Sequence, residues 1–104
     1  MIVRVWRAMA APGNAPAYRE HLERVVLPQL RGLPGFIGLT LMQRKRDDHI
    51  ELVVSSRWES MAAVRTFAGT NPERAVVEPA ARSVLIGFDH AVSHYDVSFE
   101  AGAA

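Results

Sequence analysis

The sequence predicts an α+β domain with helices on one face of a four-stranded antiparallel sheet. Three observations indicate this class: the predicted elements follow the order strand, helix, strand, strand, helix, strand; a short turn joins the middle strands; and residues 49–69 run from a strand into a capped helix. This order is that of the ferredoxin-like βαββαβ fold. With 104 residues the chain supports one core, so we expect a single domain over residues 1–100 and a frayed tail over residues 101–104.

The clearest pattern is the strand-to-helix junction. Apolar residues recur at every second position of the strand, as expected for one buried face. They are Ile50, Leu52, Val54 and Trp58. Ser60 occupies the N-cap position of the following helix, and Gly69 supplies its C-cap. Because Trp58 closes the buried face just before the cap, we expect it to fill the corner between sheet and helix.

The first part of the chain is predicted to form a strand and a kinked helix. Residues 2–9 alternate as a strand with apolar character on both faces, and Asn14 is a suitable N-cap for the helix that follows. The apolar stripe of this helix should face the sheet. It consists of Tyr18, Leu22, Val25, Val26 and Leu30. Pro28 removes one backbone hydrogen bond, so the helix should bend or loosen there before it ends at Gly32.

A hairpin and a closing strand complete the predicted sheet. Residues 36–58 are predicted to form an antiparallel hairpin with its tip at Asp47 and Asp48. Asn71 is predicted to begin a short helix that Pro79 ends. Residues 88–99 alternate well enough to form the last strand.

The predicted sheet has apolar side chains on both faces, and the chain has too few helices to cover both. These side chains are Val3, Val5, Leu39, Leu41, Val53 and Val97. A second copy packed sheet against sheet would bury the uncovered face. We therefore expect a homodimer.

Composition excludes several classes of protein. Twelve Lys and Arg against eleven Asp and Glu give a net charge of +1, and the basic residues cluster only at residues 44–46, so we expect no nucleic-acid partner. The absence of cysteine excludes disulfides, thiolate zinc sites and a cysteine nucleophile, and it is typical of a reducing compartment. Arginines interrupt the apolar run over residues 1–7, so we expect neither a signal peptide nor a membrane span, and a soluble, cytoplasmic protein.

Four short motifs connect the chain to a known family. They are Leu-Pro-Gly-Phe at residues 33–36, Ser-Arg-Trp-Glu-Ser at residues 56–60, Phe-Ala-Gly at residues 67–69, and His-Tyr at residues 94–95. With these motifs the chain resembles the antibiotic biosynthesis monooxygenase domain of the dimeric α+β barrel superfamily. The resemblance implies a homodimer whose sheets form a barrel, with a hydrophobic pocket between sheet and helices in each subunit. Members of this family include cofactor-independent oxygenases of polyketide aromatics, haem-degrading oxygenases and proteins without known activity.

The resemblance also bears on cofactors. The haem-degrading members share an Asn on the first strand, a Trp ending the second helix and a His ligand on the next short helix, where this chain has Trp6, Phe67 and Val77. Without an imidazole at Val77, haem iron would lack its proximal ligand. His90 and His94 would lie about 13 Å apart on a strand at ~3.3 Å per residue, too far to bind one ion. We therefore expect no cofactor and no metal.

Aromatic side chains are the candidate walls of a substrate pocket. Trp6, Trp58 and Phe67 could contact an aromatic substrate through offset or edge-on packing. The alternative for the two tryptophans is a purely structural place in the core, which needs no function.

Two polar residues are candidate catalytic partners. His94 on the closing strand is the candidate proton-transfer group, and Arg57 could stabilise a phenolate, enolate or carboxylate. Arg4 and Arg7 lie on a neighbouring strand and could serve the same purpose as Arg57. The alternatives are a polar residue near the pocket or the dimer interface for His94 and a surface role for each arginine.

Two functions of different classes follow from these observations. The first is a cofactor-independent monooxygenase acting on a small, polyketide-like aromatic that supplies its own reducing electrons, with the pocket providing orientation and a base. The second is a non-catalytic dimeric module that binds a small hydrophobic ligand or serves assembly. Oxygen uptake with a panel of polyphenols distinguishes them, because only the enzyme consumes oxygen.

Overall fold

The computed structural model describes residues 1–104 and contains one antiparallel sheet with the helices on one face. The strands are β1 (Ile2–Ala10), β2 (Phe36–Lys45), β3 (Ile50–Trp58), β4 (Gly87–Phe88) and β5 (Ser93–Asp96). The helices are α1 (Ala15–His21), α2 (Leu27–Arg31), α3 (Met61–Ala68) and α4 (Pro79–Arg82). The strand order is β2-β3-β1-β4, with β5 also paired to β1. The predicted α+β class and antiparallel sheet are confirmed.

The first helix loosens where its proline predicts. A π-helical segment, Leu22–Val26, joins α1 to α2, and the backbone N–H of Leu27 donates to the carbonyl of Leu22, five residues earlier. Pro28 has no N–H to donate, so the preceding turn is wider than an α-helical turn. Asn14 stands at the predicted N-cap position, but its side chain makes no capping hydrogen bond.

The strand-to-helix junction matches its prediction. Ser60 Oγ accepts a hydrogen bond of 3.2 Å from the backbone N–H of Ala63 and so caps α3. Gly69 ends the helix with a φ of 84°, a conformation that favours glycine. Trp58 is fully buried, as are Leu52 on the same strand face and Val64 on α3.

The segment before α4 differs from its prediction. A helix beginning at Asn71 is wrong: residues 71–74 form a turn, and Arg74 is bridged to Ala91. Pro79 does not end a helix but begins α4, with Glu78 as the N-cap residue. Proline suits the first turn of a helix, where its missing N–H needs no partner within the helix.

The closing strand is also divided. The sequence predicts one strand over residues 88–99, yet only β4 and β5 pair with β1, and residues 90–92 turn toward residues 73–75 instead. The N–H of Val92 donates to the Glu73 carbonyl at 2.8 Å, and the N–H of Ala75 donates to the His90 carbonyl at 2.9 Å. These hydrogen bonds place residues 72–78 along one side of the space between sheet and helices.

The two faces of the sheet differ in burial. On the helix side, β1 and β3 place Ala8, Ala10, Leu52 and Trp58 in the core. The other face presents half-buried or exposed apolar residues to solvent. They include Val3, Val5, Met9, Met42, Val53 and Tyr95. A second copy over this face stays a prediction.

None of the helices is long and apolar enough to cross a membrane.

Candidate functional site

A cavity of about 110 Å³ lies between the sheet and the helices. Strands β1, β2 and β3, the helix before Gly32, α3, residues 76–78 and α4 all contribute to its wall, and 12 of its 17 lining residues are hydrophobic. The apolar part of the wall includes Leu22, Val26, Leu30, Leu39, Val54 and Val77. Such a wall favours an apolar ligand and makes the few polar groups in it decisive for orientation.

Arg4 is the cation in this wall. Strand alternation places it on the helix side of β1, where it is only 5 % exposed. Its guanidinium donates to the backbone carbonyls of Pro72 and Arg74, the latter at 3.0 Å, and contacts His94 Nε2 at 3.0 Å. The guanidinium also lies over the ring of Phe67, 5.5 Å from its centroid.

The charge of Arg4 has no anionic partner within the chain. None of the ion pairs in the structure includes it. Burial lowers its pKa to about 10, which still leaves it protonated at neutral pH. A buried charge without a counterion is unfavourable, and the two carbonyl dipoles compensate for it only in part. An anionic ligand atom beside Arg4 would complete the pairing.

His21 is the second unusual group in the wall. Its side chain is only 9 % exposed, and its Nε2 is buried without any hydrogen-bond partner in the chain. The nearest carboxylate oxygen is Glu78 Oε2 at 3.9 Å, which is beyond hydrogen-bond distance. The ring of Tyr18 lies 6.3 Å away between centroids, and burial raises the pKa of Tyr18 far above its usual value, so its phenol stays neutral.

Sequence reasoning missed His21. The signal available was its position three residues after Tyr18, on the edge of the apolar stripe of α1. That spacing places an imidazole toward the sheet, but it does not show that Nε2 lacks a partner. Whether Nε2 has a partner depends on the position of Glu78. Glu78 belongs to a segment whose structure was predicted incorrectly from the sequence.

Of the three aromatic residues proposed as pocket walls, Trp6 and Phe67 line the cavity. The Trp6 indole N–H donates to the Asp89 carbonyl at 2.8 Å, which fixes the ring. Trp58 does not line the cavity. It stacks on Phe67 with a centroid distance of 5.6 Å and so lies one layer behind the wall.

The two polar candidates lie apart from each other. His94 contacts Arg4 beside the cavity, and burial followed by the charge of Arg4 lowers its pKa. Arg57 lies on the opposite face of the sheet, where it donates to Thr40 Oγ1 at 3.3 Å. The structure therefore brings His94 close to the cavity wall through Arg4, and it does not bring Arg57 to this cavity.

Solved structures of other proteins share this fold. A proposed antibiotic biosynthesis monooxygenase from Bacillus cereus matches with a TM-score of 0.70 and 21 % identity, covering 99 % of this chain and 96 % of that one. SnoaB, a cofactor-independent oxygenase from Streptomyces nogalater, matches with a TM-score of 0.61 and 20 % identity, covering 95 % of each chain. The haem degrader MhuD from Mycobacterium tuberculosis, with two haems in its active site, matches with a TM-score of 0.65 and 20 % identity, covering 98 % of this chain and 100 % of that one.

The cavity does not fit the haem that MhuD holds. Val77 lies in the wall and offers no ligand atom. A porphyrin would also have to displace much of the wall around the volume of about 110 Å³. For scale, a cavity of about 150 Å³ holds one benzene.

No curated protein sequence matches the chain. The sequence profile of the antibiotic biosynthesis monooxygenase family, in contrast, matches residues 1–79, about three quarters of the chain. Together with the ferredoxin-like sheet, this match shows that the chain belongs to the antibiotic biosynthesis monooxygenase family.

Proposed function

We propose that the protein is a cofactor-independent monooxygenase of small, electron-rich aromatic compounds that bind as anions in the cavity between sheet and helices. The observation that carries the proposal is Arg4, a buried guanidinium without a carboxylate partner in a mostly apolar wall. Family membership and the fold shared with SnoaB, a cofactor-independent oxygenase, support oxygenation as the reaction.

The wall suits a planar phenolate. Trp6 and Phe67 offer ring faces and edges for contact with an aromatic ring. The phenolate oxygen would take the place beside Arg4, where a charge-assisted hydrogen bond forms away from bulk water. Arg4 would thereby favour the ionised substrate, which is the form that gives up electrons most readily.

The reaction balances without an added reductant. A phenol with a free ring position and one O₂ would give a quinone and one water. The ionised ring passes one electron to O₂, the radical pair combines into a carbon–oxygen bond, and the resulting peroxide is protonated. Loss of the ring C–H proton then breaks the O–O bond, and the departing hydroxide takes a proton to become water. The substrate supplies all four electrons, and the protein supplies orientation, charge stabilisation and a site away from bulk water.

The cavity volume bears on substrate size. About 110 Å³ is comparable to the ~150 Å³ that holds one benzene, so a single ring fits without rearrangement. A polyketide-like substrate with several fused rings would have to displace part of the wall. We expect turnover to decrease from one-ring to three-ring phenols.

Oxygen consumption tests the proposal. We expect the purified protein to consume O₂ with one-ring polyphenols and, with ¹⁸O₂, to place one labelled atom in the quinone and the other in water. An Arg4→Gln variant should lose most of this uptake, whereas His49→Gln, at the hairpin tip, should retain it. Tight binding of the same phenols without any oxygen uptake would instead identify a non-catalytic small-ligand module.

A further inference from the structure

We propose that His21 is the general base that ionises the substrate in this cavity, and that Glu78 stabilises the imidazolium formed. This inference rests on the proposed function and assigns a proton-transfer group to it. The sequence had suggested His94 for that role.

His21 Nε2 is a buried polar atom without a partner in the chain. Buried polar atoms in proteins are nearly always hydrogen-bonded, so an imidazole nitrogen without a partner in the chain, set in a cavity wall, is a position where a ligand hydroxyl can bind. The side chain is 91 % buried, so solvent does not satisfy this atom freely. A phenol hydroxyl placed there would donate to Nε2 and satisfy it.

The other titratable groups of the wall are less suited to accept a proton. They are Arg4, Tyr18 and Glu78. Arg4 is a cation, and Tyr18 stays a neutral phenol because burial raises its pKa. Glu78 has a side chain that is 37 % exposed, so its carboxylate is better solvated than the imidazole and lies at the rim.

His94 is already engaged. Its Nε2 lies 3.0 Å from Arg4 Nη1, a guanidinium nitrogen that can only donate, so this Nε2 must act as the acceptor. A lone pair used in this way is not free to take a proton from a substrate. His21 Nε2 has no such competitor.

The proton balance of the step is simple. The substrate O–H bond breaks, its electron pair stays on oxygen as the phenolate beside Arg4, and the proton forms a bond to His21 Nε2. For this, neutral His21 must carry its own hydrogen on Nδ1. The imidazolium then faces Glu78 Oε2, 3.9 Å away, which compensates its charge. His21 later returns the proton to the peroxide or hydroxide oxygen that ends as water.

Glu78 acts through His21 and is therefore a positioning residue. It precedes α4 at the N-cap position, yet its side chain makes no capping hydrogen bond. Its carboxylate is thus available to the imidazolium and is not committed to the helix end.

The first test follows the proton with 3-nitrophenol, whose phenolate absorbs at longer wavelength than the phenol and whose electron-poor ring resists oxidation. In weakly buffered solution at neutral pH, a pH-indicator dye reports any proton released on binding. Wild type should form bound phenolate without releasing a proton. His21→Gln should either release one proton per bound phenolate or bind the neutral phenol.

The outcomes separate the two proposals. Bound phenolate with proton release in wild type, or identical behaviour of wild type and His21→Gln, overturns the role of His21 and leaves the oxygenase proposal intact. Failure of wild type to bind phenolate at all contradicts the proposed function, and the inference falls with it.

Kinetics gives the second test. For a one-ring polyphenol, His21→Gln should lower kcat by roughly 10²–10⁴-fold with little change in KM, the usual effect of losing a general base. Raising the pH until the substrate ionises in solution, with a substrate acidic enough that the pH stays well below the pKa of about 10 of Arg4, should restore much of the rate. Glu78→Gln should show a smaller loss in the same direction, and His49→Gln should behave as wild type. A His21→Gln rate that stays within twofold of wild type, or that high pH does not restore, contradicts the assignment.

Discussion

Two regions on the helix side of the sheet differ in how their polar atoms are satisfied. Around Trp58 the indole N–H donates to Ser56 Oγ at 2.9 Å, and the ring is packed between Phe36 and Phe67. In the neighbouring cavity, Arg4 lacks an anion and His21 Nε2 lacks any partner. A region whose buried polar atoms are all paired contributes to stability, whereas unpaired ones next to a cavity indicate a place for a ligand.

The largest effect should follow from disrupting the packed region around Trp58. Trp58→Ala removes a fully buried ring, leaves a cavity and deprives Ser56 Oγ of its donor, so we expect a loss of about 3–5 kcal/mol in the free energy of unfolding. Domains of this size have about 5–15 kcal/mol in total. Chemical denaturation measures the difference, with Trp6→Phe as the aromatic control. A denaturation midpoint of Trp58→Ala equal to that of Trp6→Phe would contradict the assignment of Trp58 to the core and of Trp6 to the cavity wall.

The Trp58 region could be predicted from sequence because its determinants are local. Period-two alternation, the Ser60 cap and Gly69 all lie within one stretch of the chain, and each acts on its immediate neighbours. The cavity could be predicted only in part. Trp6 and Phe67 follow from the strand and helix patterns, but the polar groups depend on residues 72–78.

Residues 71–92 escaped prediction for a physical reason. Their hydrogen bonds join residues 73–75 to residues 90–92, and no local pattern encodes a pairing across that distance. Pro79 fits both the start and the end of a short helix, so its presence alone does not fix the boundary. The same segment supplies Glu78 and the carbonyls that hold Arg4, so the error in the fold and the omission of His21 have one origin.

The two faces of the sheet also differ, because the helices cover one face and leave apolar side chains uncovered on the other. We expect a homodimer that buries this face, with a mass by light scattering of twice 11.5 kDa. Val53→Asp should give a monomer, because burying an unpaired carboxylate costs several kcal/mol. Ala62→Asp, on the exposed side of α3, is the control and should stay dimeric. A wild-type monomer at micromolar concentration contradicts the expectation.

Arg4 should make the cavity selective for anionic ligands. Arg4→Gln removes the charge, so affinity for the phenolate of 3-nitrophenol should fall by about 1.5–3 kcal/mol, the typical value of a hydrogen bond to a charged group. Nitrobenzene, which has no ionisable oxygen, should bind both proteins with similar affinity. Quenching of the tryptophan fluorescence provides the measurement, because Trp6 lies in the cavity wall. Equal losses for both ligands would mean that the substitution deformed the cavity and that charge recognition was not the cause.

The smallest effect should come from His94, which is half-buried and contacts Arg4 beside the cavity. Burial, and then the charge of Arg4, lower its pKa below the ordinary value of 6.5, while Glu73 opposes the shift. The folded protein therefore resists protonation of His94 more than the unfolded chain does. Well above pH 6.5 His94 is neutral in both the folded and the unfolded chain, and stability does not depend on it. As the pH falls below 6.5 the unfolded chain takes up a proton first, and stability decreases until the lower pKa of the folded state is passed.

His94→Gln should remove this part of the decrease and leave the neutral-pH melting temperature within a few degrees of wild type, whereas His49→Gln at the hairpin tip should keep the wild-type profile. Melting temperatures recorded between neutral and mildly acidic pH measure it, and a steeper acidic decrease in His94→Gln than in wild type would reverse the sign derived from the contact of His94 with Arg4.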